Sequence, residues 1–238
     1  MPKVLAETRD RALVVTINRP EARNAVNAEV AQLLFEAVEA FKADDSLDAL
    51  ILTGAGGVAF CAGADLKGGA GLMARPGSQE SGPMGFSRVT DVQKPTIAAV
   101  NGYCLAGGLE LACWCDFRIA DESAQFGILN RRWGVPLLDG GTQRLPRIVG
   151  LGNALYLMET GVMINARQAQ RLGLVQEVVP KGAALERALE LARAISTYPQ
   201  LSLRNDRRAA IDGLALPLAE GLRRYAAGDR PPPPRGAA

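Results

Sequence analysis

The stretch KPTIAAVNGYCLAGGLELA, residues 94–112, decides the fold. Residues 96–100 (TIAAV) form a short apolar run entered through Lys94-Pro95, which predicts a buried strand. Asn101-Gly102 predicts a turn, and from about Gly107 the run of small and apolar residues predicts a helix. A helix N-terminus presents unpaired N–H groups and the positive end of the helix dipole. An anion, or an oxygen that becomes negative during a reaction, is well placed there. Glu110 lies one turn into this helix among apolar neighbours. Close helix packing through small residues would give the same composition, so the segment alone leaves both readings open.

The chain on either side alternates strands with helices. Residues 12–17 (ALVVTI) predict a strand closed by Asn18-Arg19-Pro20. A helix is expected over residues 28–43, because Val30, Leu33, Leu34, Ala37, Val38 and Phe41 recur on one face, with Asn27 as its N-cap. Residues 48–53 (DALILT) predict a strand closed by Gly54, and short strands follow at 117–120 and 125–127. Residues 68–88, with six glycines and two prolines, read as a mobile surface loop. Helical patterns dominate from about Gly140. They include helices at 165–172 and 185–196 and are interrupted by a strand at 174–179. The pattern predicts an α/β fold with crossover units and helices gathered at the C-terminal end. Residues 228–238, with four consecutive prolines, are expected to be disordered.

Composition excludes several classes of chemistry. No histidine is present, so neither a Ser-His-Asp nor a Cys-His site is possible, and no metal site is expected. The four cysteines form no CxxC pair; Cys113 and Cys115 read as core residues in a reducing cytoplasm. Nothing basic adjoins Cys61 to activate it. With 27 basic and 25 acidic residues, the net charge of +2 argues against nucleic acid or a membrane surface as partner. No apolar run approaches the ~20 residues that span a bilayer. The N-terminal residues lack the apolar centre of a signal peptide, which adds to the cytoplasmic expectation.

Two glycine-rich segments remain. GAGGVA, residues 54–59, matches G-x-G-x-x-A after a strand, but no long helix opens at its end and no acidic residue closes a second strand about 20 residues on. A nicotinamide-binding oxidoreductase is therefore disfavoured. FCAGADLK, residues 60–67, has small residues that let an outside group approach the backbone.

Taken with residues 94–112, this segment resembles the crotonase, or enoyl-CoA hydratase/isomerase, superfamily. The resemblance begins at INRPEARNA (17–25) and runs through CDFRIADESAQFG (115–127), GGTQRLPRIVG (140–150) and ARQAQRLGLVQEVVP (166–180). It implies a crotonase-like (ClpP/crotonase) α/β spiral of ββα units over residues 1–182, with a small helical C-terminal region over 183–227. It further implies acyl-CoA as substrate, no separate cofactor, and a homotrimer or dimer of trimers built by C-terminal helices. In this chain the helical signals run to about Ala227 and then yield to the proline-rich tail.

By matching motifs, the resemblance places an oxyanion hole at the backbone N–H groups of Ala64 and Gly107. It places contacts to CoA or substrate at Arg23, Ala25, Ala62, Ala64, Asp65, Leu66, Lys67 and Gly107. Arg23 is suited to pairing with a phosphate, although Arg23 and Lys67 read equally as solvated charges. Glu110 matches the first catalytic glutamate of the hydratases; its plain structural alternative is pairing with an arginine. The second glutamate, twenty residues on, is replaced by Asn130. An amide positions water but exchanges no proton at neutral pH. Asp139 is the nearest substitute acid, and a helix N-cap is its structural alternative. The resemblance thus implies enoyl-CoA hydratase-type lyase chemistry. A single-carboxylate enoyl-CoA isomerase and a non-catalytic acyl-CoA-binding relative are the alternatives.

Overall fold

The computed structural model describes residues 1–225; the expected disorder at 228–238 lies outside them. Strand β1 (Val4–Arg9) and β2 (Ala12–Ile17) form an antiparallel hairpin, and helix α1 (Ala28–Ala43) follows. Three strand pairs come next: β3 (Ala49–Gly54) with β4 (Ala59–Cys61), β5 (Thr96–Val100) with β6 (Tyr103–Leu105), and β7 (Phe117–Asp121) with β8 (Gln125–Gly127). Between the first and second pairs lie α2 (Gly69–Ala74) and α3 (Ser78–Ser81), and α4 (Gly107–Trp114) separates the second from the third. The chain continues through a 3-10 turn (Leu129–Trp133), α5 (Gly141–Val149), α6 (Leu151–Thr160), β9 (Met163–Asn165), α7 (Ala166–Arg171) and β10 (Glu177–Val179). It closes with α8 (Ala184–Ser196), α9 (Gln200–Gly213) and α10 (Leu218–Tyr225).

The first strand of each pair joins a six-stranded sheet of order β1-β2-β3-β5-β7-β10, parallel beyond the first hairpin. The second strand of each pair joins a smaller sheet of order β4-β6-β8-β9. That alternation between two sheets is the crotonase spiral. Strands β2, β3, β5 and β7 of the main sheet are buried on both faces, as a parallel sheet requires. Leu13, Val15, Leu50, Leu52, Ala98 and Val100 face one core, while Val14, Ile51, Ile97, Ala99 and Ile119 face the side covered by Ala188, Leu189 and Ala192 of α8.

Helix α1 has the boundaries its periodicity predicts. The Asn27 side chain accepts from the Val30 N–H at 3.0 Å, and Val30, Leu34, Ala37, Val38 and Phe41 are buried. Lys94, ahead of β5, is itself buried and donates to the carbonyls of Phe41 and Asp44, which places a cation at the C-terminal end of α1. Buried Arg118 does the same for α4, donating to the carbonyls of Ala112 and Cys115.

Two expectations need correction. Residues 68–88 are not a mobile surface loop. They contain α2 and α3, and Leu72, Met84 and Phe86 are buried in the main core. Buried Arg75 replaces regular hydrogen bonding there, donating to Ser81 Oγ, Gly82 O and Gly85 O. The Phe86 ring meets Trp114 edge-on at 4.5 Å. The strand expected at 174–179 shortens to β10, because the Leu174 carbonyl is taken by Arg118 Nε rather than by a neighbouring strand.

Candidate active site

Parallel pairing of β4 with β6 brings the two glycine-rich segments together. Their backbones touch. A Cβ on Gly108 would lie 2.1 Å from the Cys61 carbonyl oxygen, and one on Gly63 would lie 3.1 Å from the Gly107 nitrogen. Ala64 follows Gly63 and is bracketed by Val26, whose N–H donates to Gly63 O and whose carbonyl accepts from Asp65 N. The N–H groups of Ala64 and Gly107 donate to nothing among the described residues. Ala106, just before Gly107, has φ 48° and ψ −120°, a conformation that costs a side chain about 1–3 kcal/mol. It is held there by its own N–H on Gly127 O and by the Leu109 and Glu110 N–H groups on its carbonyl.

Glu110 sits on the first turn of α4 and is 4 % exposed. Its Oε1 accepts from the N–H groups of Gly141 (2.8 Å) and Asp139 (3.0 Å). Gly141 has to lack a side chain, since a Cβ would fall 2.8 Å from Glu110 Cγ. Burial pushes the Glu110 carboxyl up to about 7, and the nearby Asp139 charge adds to that. The two N–H groups and Arg144 pull the other way without cancelling it. Glu110 forms no ion pair among the described residues, so pairing with an arginine is not its role.

Asn130 lies in the 3-10 turn and is 8 % exposed. Its Nδ2 donates to Val135 O at 2.5 Å, which leaves Oδ1 buried with no partner. Asp139 is not the N-cap of α5. Gly140, at φ 93°, takes that position without a side-chain bond, and the Asp139 carboxylate turns toward residues 84–87. There Oδ1 accepts from Met84 N at 2.9 Å and from Ser87 Oγ. Burial holds the Asp139 carboxyl above its ordinary value despite these donors.

The residues matched to CoA contact form one patch. Ala62 N donates to Arg23 O, which ties the turn at 23–25 to the turn at 62–65. Arg19 clamps both, donating to Ala25 O at 2.7 Å and pairing with Asp65 at 3.1 Å. The Asp65 carboxylate also accepts from Lys67 N, so it shapes the turn. Arg23, Leu66 and Lys67 are exposed beside it. Buried Asn24 braces this patch from below through Ala55 O and Ala59 O. All four cysteines are buried, and burial pushes the Cys61 thiol up to about 12 and Cys113 to about 11.

Sequence reasoning missed Arg19, Asn24, Met84, Ser87, Gly141 and Arg144. Arg19, Asn24, Gly141 and Arg144 stood inside the matched motifs as unassigned letters. Ser87 carried no signal, because a serine in a glycine-rich stretch reads as loop.

A spiral of strand pairs with a buried carboxylate beside two free N–H groups defines an enzyme site of the crotonase type. The chain matches the Enoyl-CoA hydratase/isomerase family over residues 7–224 and belongs to it. It is similar to a probable enoyl-CoA hydratase of Rhizobium meliloti, 43% identical over 92% of this chain and 85% of that protein. It is also similar to a crotonyl-CoA hydratase of Syntrophomonas wolfei, 41% identical over 89% and 82% of the two chains. Among solved structures, an enoyl-CoA hydratase of Mycobacterium marinum superposes with a TM-score of 0.88 at 39% identity, covering 94% of this chain and 88% of that one. The protein is thus an acyl-CoA enzyme of the hydratase type.

Proposed function

We propose that the protein adds water across the double bond of 2-enoyl-CoA thioesters, with Glu110 as the only proton carrier. The observation that carries this reading is the buried Glu110 carboxyl, near neutrality in proton affinity, beside the unpartnered N–H groups of Ala64 and Gly107. Addition at the β carbon drives negative charge onto the thioester oxygen. Fixed donors aimed at that oxygen are the largest single contribution in comparable sites. Ala64 and Gly107 hold it as an oxyanion hole.

One carboxylate balances the reaction. Ionised Glu110 takes a proton from water as the carbon–oxygen bond forms at the β carbon. The π electrons pass to the thioester oxygen as an enolate. Protonated Glu110 then delivers its proton to the α carbon, and the enolate collapses to the 3-hydroxyacyl thioester. Asn130 contributes its free Oδ1, which accepts the second hydrogen of the water and orients it. Arg23 and Lys67 meet the CoA phosphates, while Ala25, Ala62, Asp65 and Leu66 shape the turn that receives CoA. Acyl-CoA is the substrate and no cofactor takes part. The assembly proposed is a homotrimer or dimer of trimers in the cytoplasm.

A single carboxylate also suffices to move a proton between the γ and α carbons, which is the observation favouring isomerisation as a second reading. A panel of 2-enoyl- and 3-enoyl-CoA thioesters followed by mass spectrometry separates the two. Hydration of the 2-enoyl members supports the proposal. Interconversion without hydration supports the isomerase, and binding without turnover supports a non-catalytic relative.

A further inference from the structure

Among the described residues, Asp139 is the acidic residue whose bonds reach both halves of the site. Its main-chain N–H donates to Glu110 Oε1 at 3.0 Å. Its carboxylate accepts from Met84 N and Ser87 Oγ in the segment after α3. Met84 in turn stands over the oxyanion side: a Cβ on Gly107 would lie 3.1 Å from Met84 Cε and 3.2 Å from Sδ. Arg144 closes the loop from α5, donating to Asp139 O at 3.1 Å. Asp139 is 5 % exposed, and its carboxylate is oriented by these buried donors.

We propose that Asp139 is a positioning residue that carries no proton in turnover: its main chain fixes Glu110, and its carboxylate fixes the main chain of Met84 against the Gly107 donor. The proposal rests on the hydratase reading for its kinetic consequences; its electrostatic consequence, that the Asp139 charge restrains ionisation of Glu110, follows from two buried acidic residues joined through Asp139 N and Glu110 Oε1 at 3.0 Å. The charged and titratable groups around the pair are Arg144 and Cys113 on the α5 and α4 sides, and Arg75 and Arg88 on the side of residues 75–88. Asp139 is the only acid among them that opposes Glu110. Two buried carboxylates in one site disfavour each other's charged form.

The test separates charge from tether. Asp139→Asn keeps acceptor oxygen and shape but removes the charge. Asp139→Ala removes both. Glu110 ionisation is read in the full chain by carbon-13 NMR of labelled glutamate carboxyls, with Glu110→Gln assigning the resonance. This readout needs no turnover, so an inactive wild type would sink the hydratase reading and leave this measurement standing. The expected result in Asp139→Asn is a Glu110 midpoint below the wild-type value, with KM for an enoyl-CoA little changed. Asp139→Ala is expected to raise KM as Met84 loses its anchor, and to lower kcat about tenfold or more as the site loosens. Ser87→Ala, which loses only one donor to the tether, should raise KM less than Asp139→Ala does and serves if that variant does not fold. An unchanged Glu110 midpoint in Asp139→Asn would overturn the electrostatic half. Unchanged KM in both Asp139→Ala and Ser87→Ala, or in Ser87→Ala alone where Asp139→Ala does not fold, would overturn the positioning half. Loss of all turnover in Asp139→Asn with the midpoint unmoved would instead make Asp139 a proton carrier.

Discussion

Burial lifts the Glu110 carboxyl from its ordinary 4.5 to about 7. Between those values the folded protein holds a proton that the unfolded chain has released. Stability therefore falls as pH rises through that window and levels off above it. The whole difference is about 3 kcal/mol. Activity has the opposite dependence, because the ionised form is the base that takes a proton from water. We expect kcat/KM to fall as pH drops below about 7. Glu110→Gln keeps the shape and the acceptor oxygen for Asp139 and Gly141. It should lose at least ~100-fold in turnover, on the order of 3 kcal/mol. The same variant should unfold at higher temperature than wild type at pH 8, and the gain should vanish near pH 4. A Glu110→Gln protein less stable than wild type at pH 8 would contradict a destabilising buried charge at Glu110.

At the scale of elements, the first turn of α4 separates two neighbouring glycines by what surrounds them. A side chain at Gly107 meets the flexible end of Met84, whereas one at Gly108 meets the Cys61 carbonyl 2.1 Å away. Gly107→Val should therefore fold and lose activity through crowding of the oxyanion donor. Gly108→Ala should instead lower the melting temperature, since β4 and α4 must separate. Circular dichroism melts with activity assays check both; an active Gly107→Val would misplace the oxyanion hole. This element was legible in the sequence because a strand, a turn and a helix follow one another with distinct residue types. Helix α1 was legible for a similar reason, having four turns of one apolar face. Strands β4, β6 and β9 have three residues each, too few to show a period. The hairpin strand β1 was missed because its outer residues are exposed and polar. Residues 68–88 misled because glycine and proline count as loop signals, while a single buried arginine holds that segment by bonds no local pattern reveals. Of the site, Glu110, Ala64, Gly107, Asn130 and Asp139 were named from motifs, but the main-chain bonds that hold Glu110 were not. Asp139 and Gly141 approach Glu110 from 29 and 31 residues away.

For the whole molecule, the spiral packs its parallel sheet between α8 and the core that holds the site. Helices α9 and α10 bury no residue and expose Leu201, Ile211, Leu218 and Leu222, with Leu214 exposed just after α9. Exposed apolar side chains on these helices are what the proposed assembly would cover. Light scattering should give a mass of three or six times the 25.2 kDa chain, and a stable monomer at micromolar concentration would reject the proposed assembly. The most direct test of the central claim, that Glu110 alone carries the proton to the α carbon, is hydration of a short 2-enoyl-CoA in deuterated water. The product should be the 3-hydroxyacyl thioester with one carbon-bound deuterium at the α position, formed by wild type and absent with Glu110→Gln. Wild-type binding without hydration, or undiminished hydration by Glu110→Gln, would contradict it.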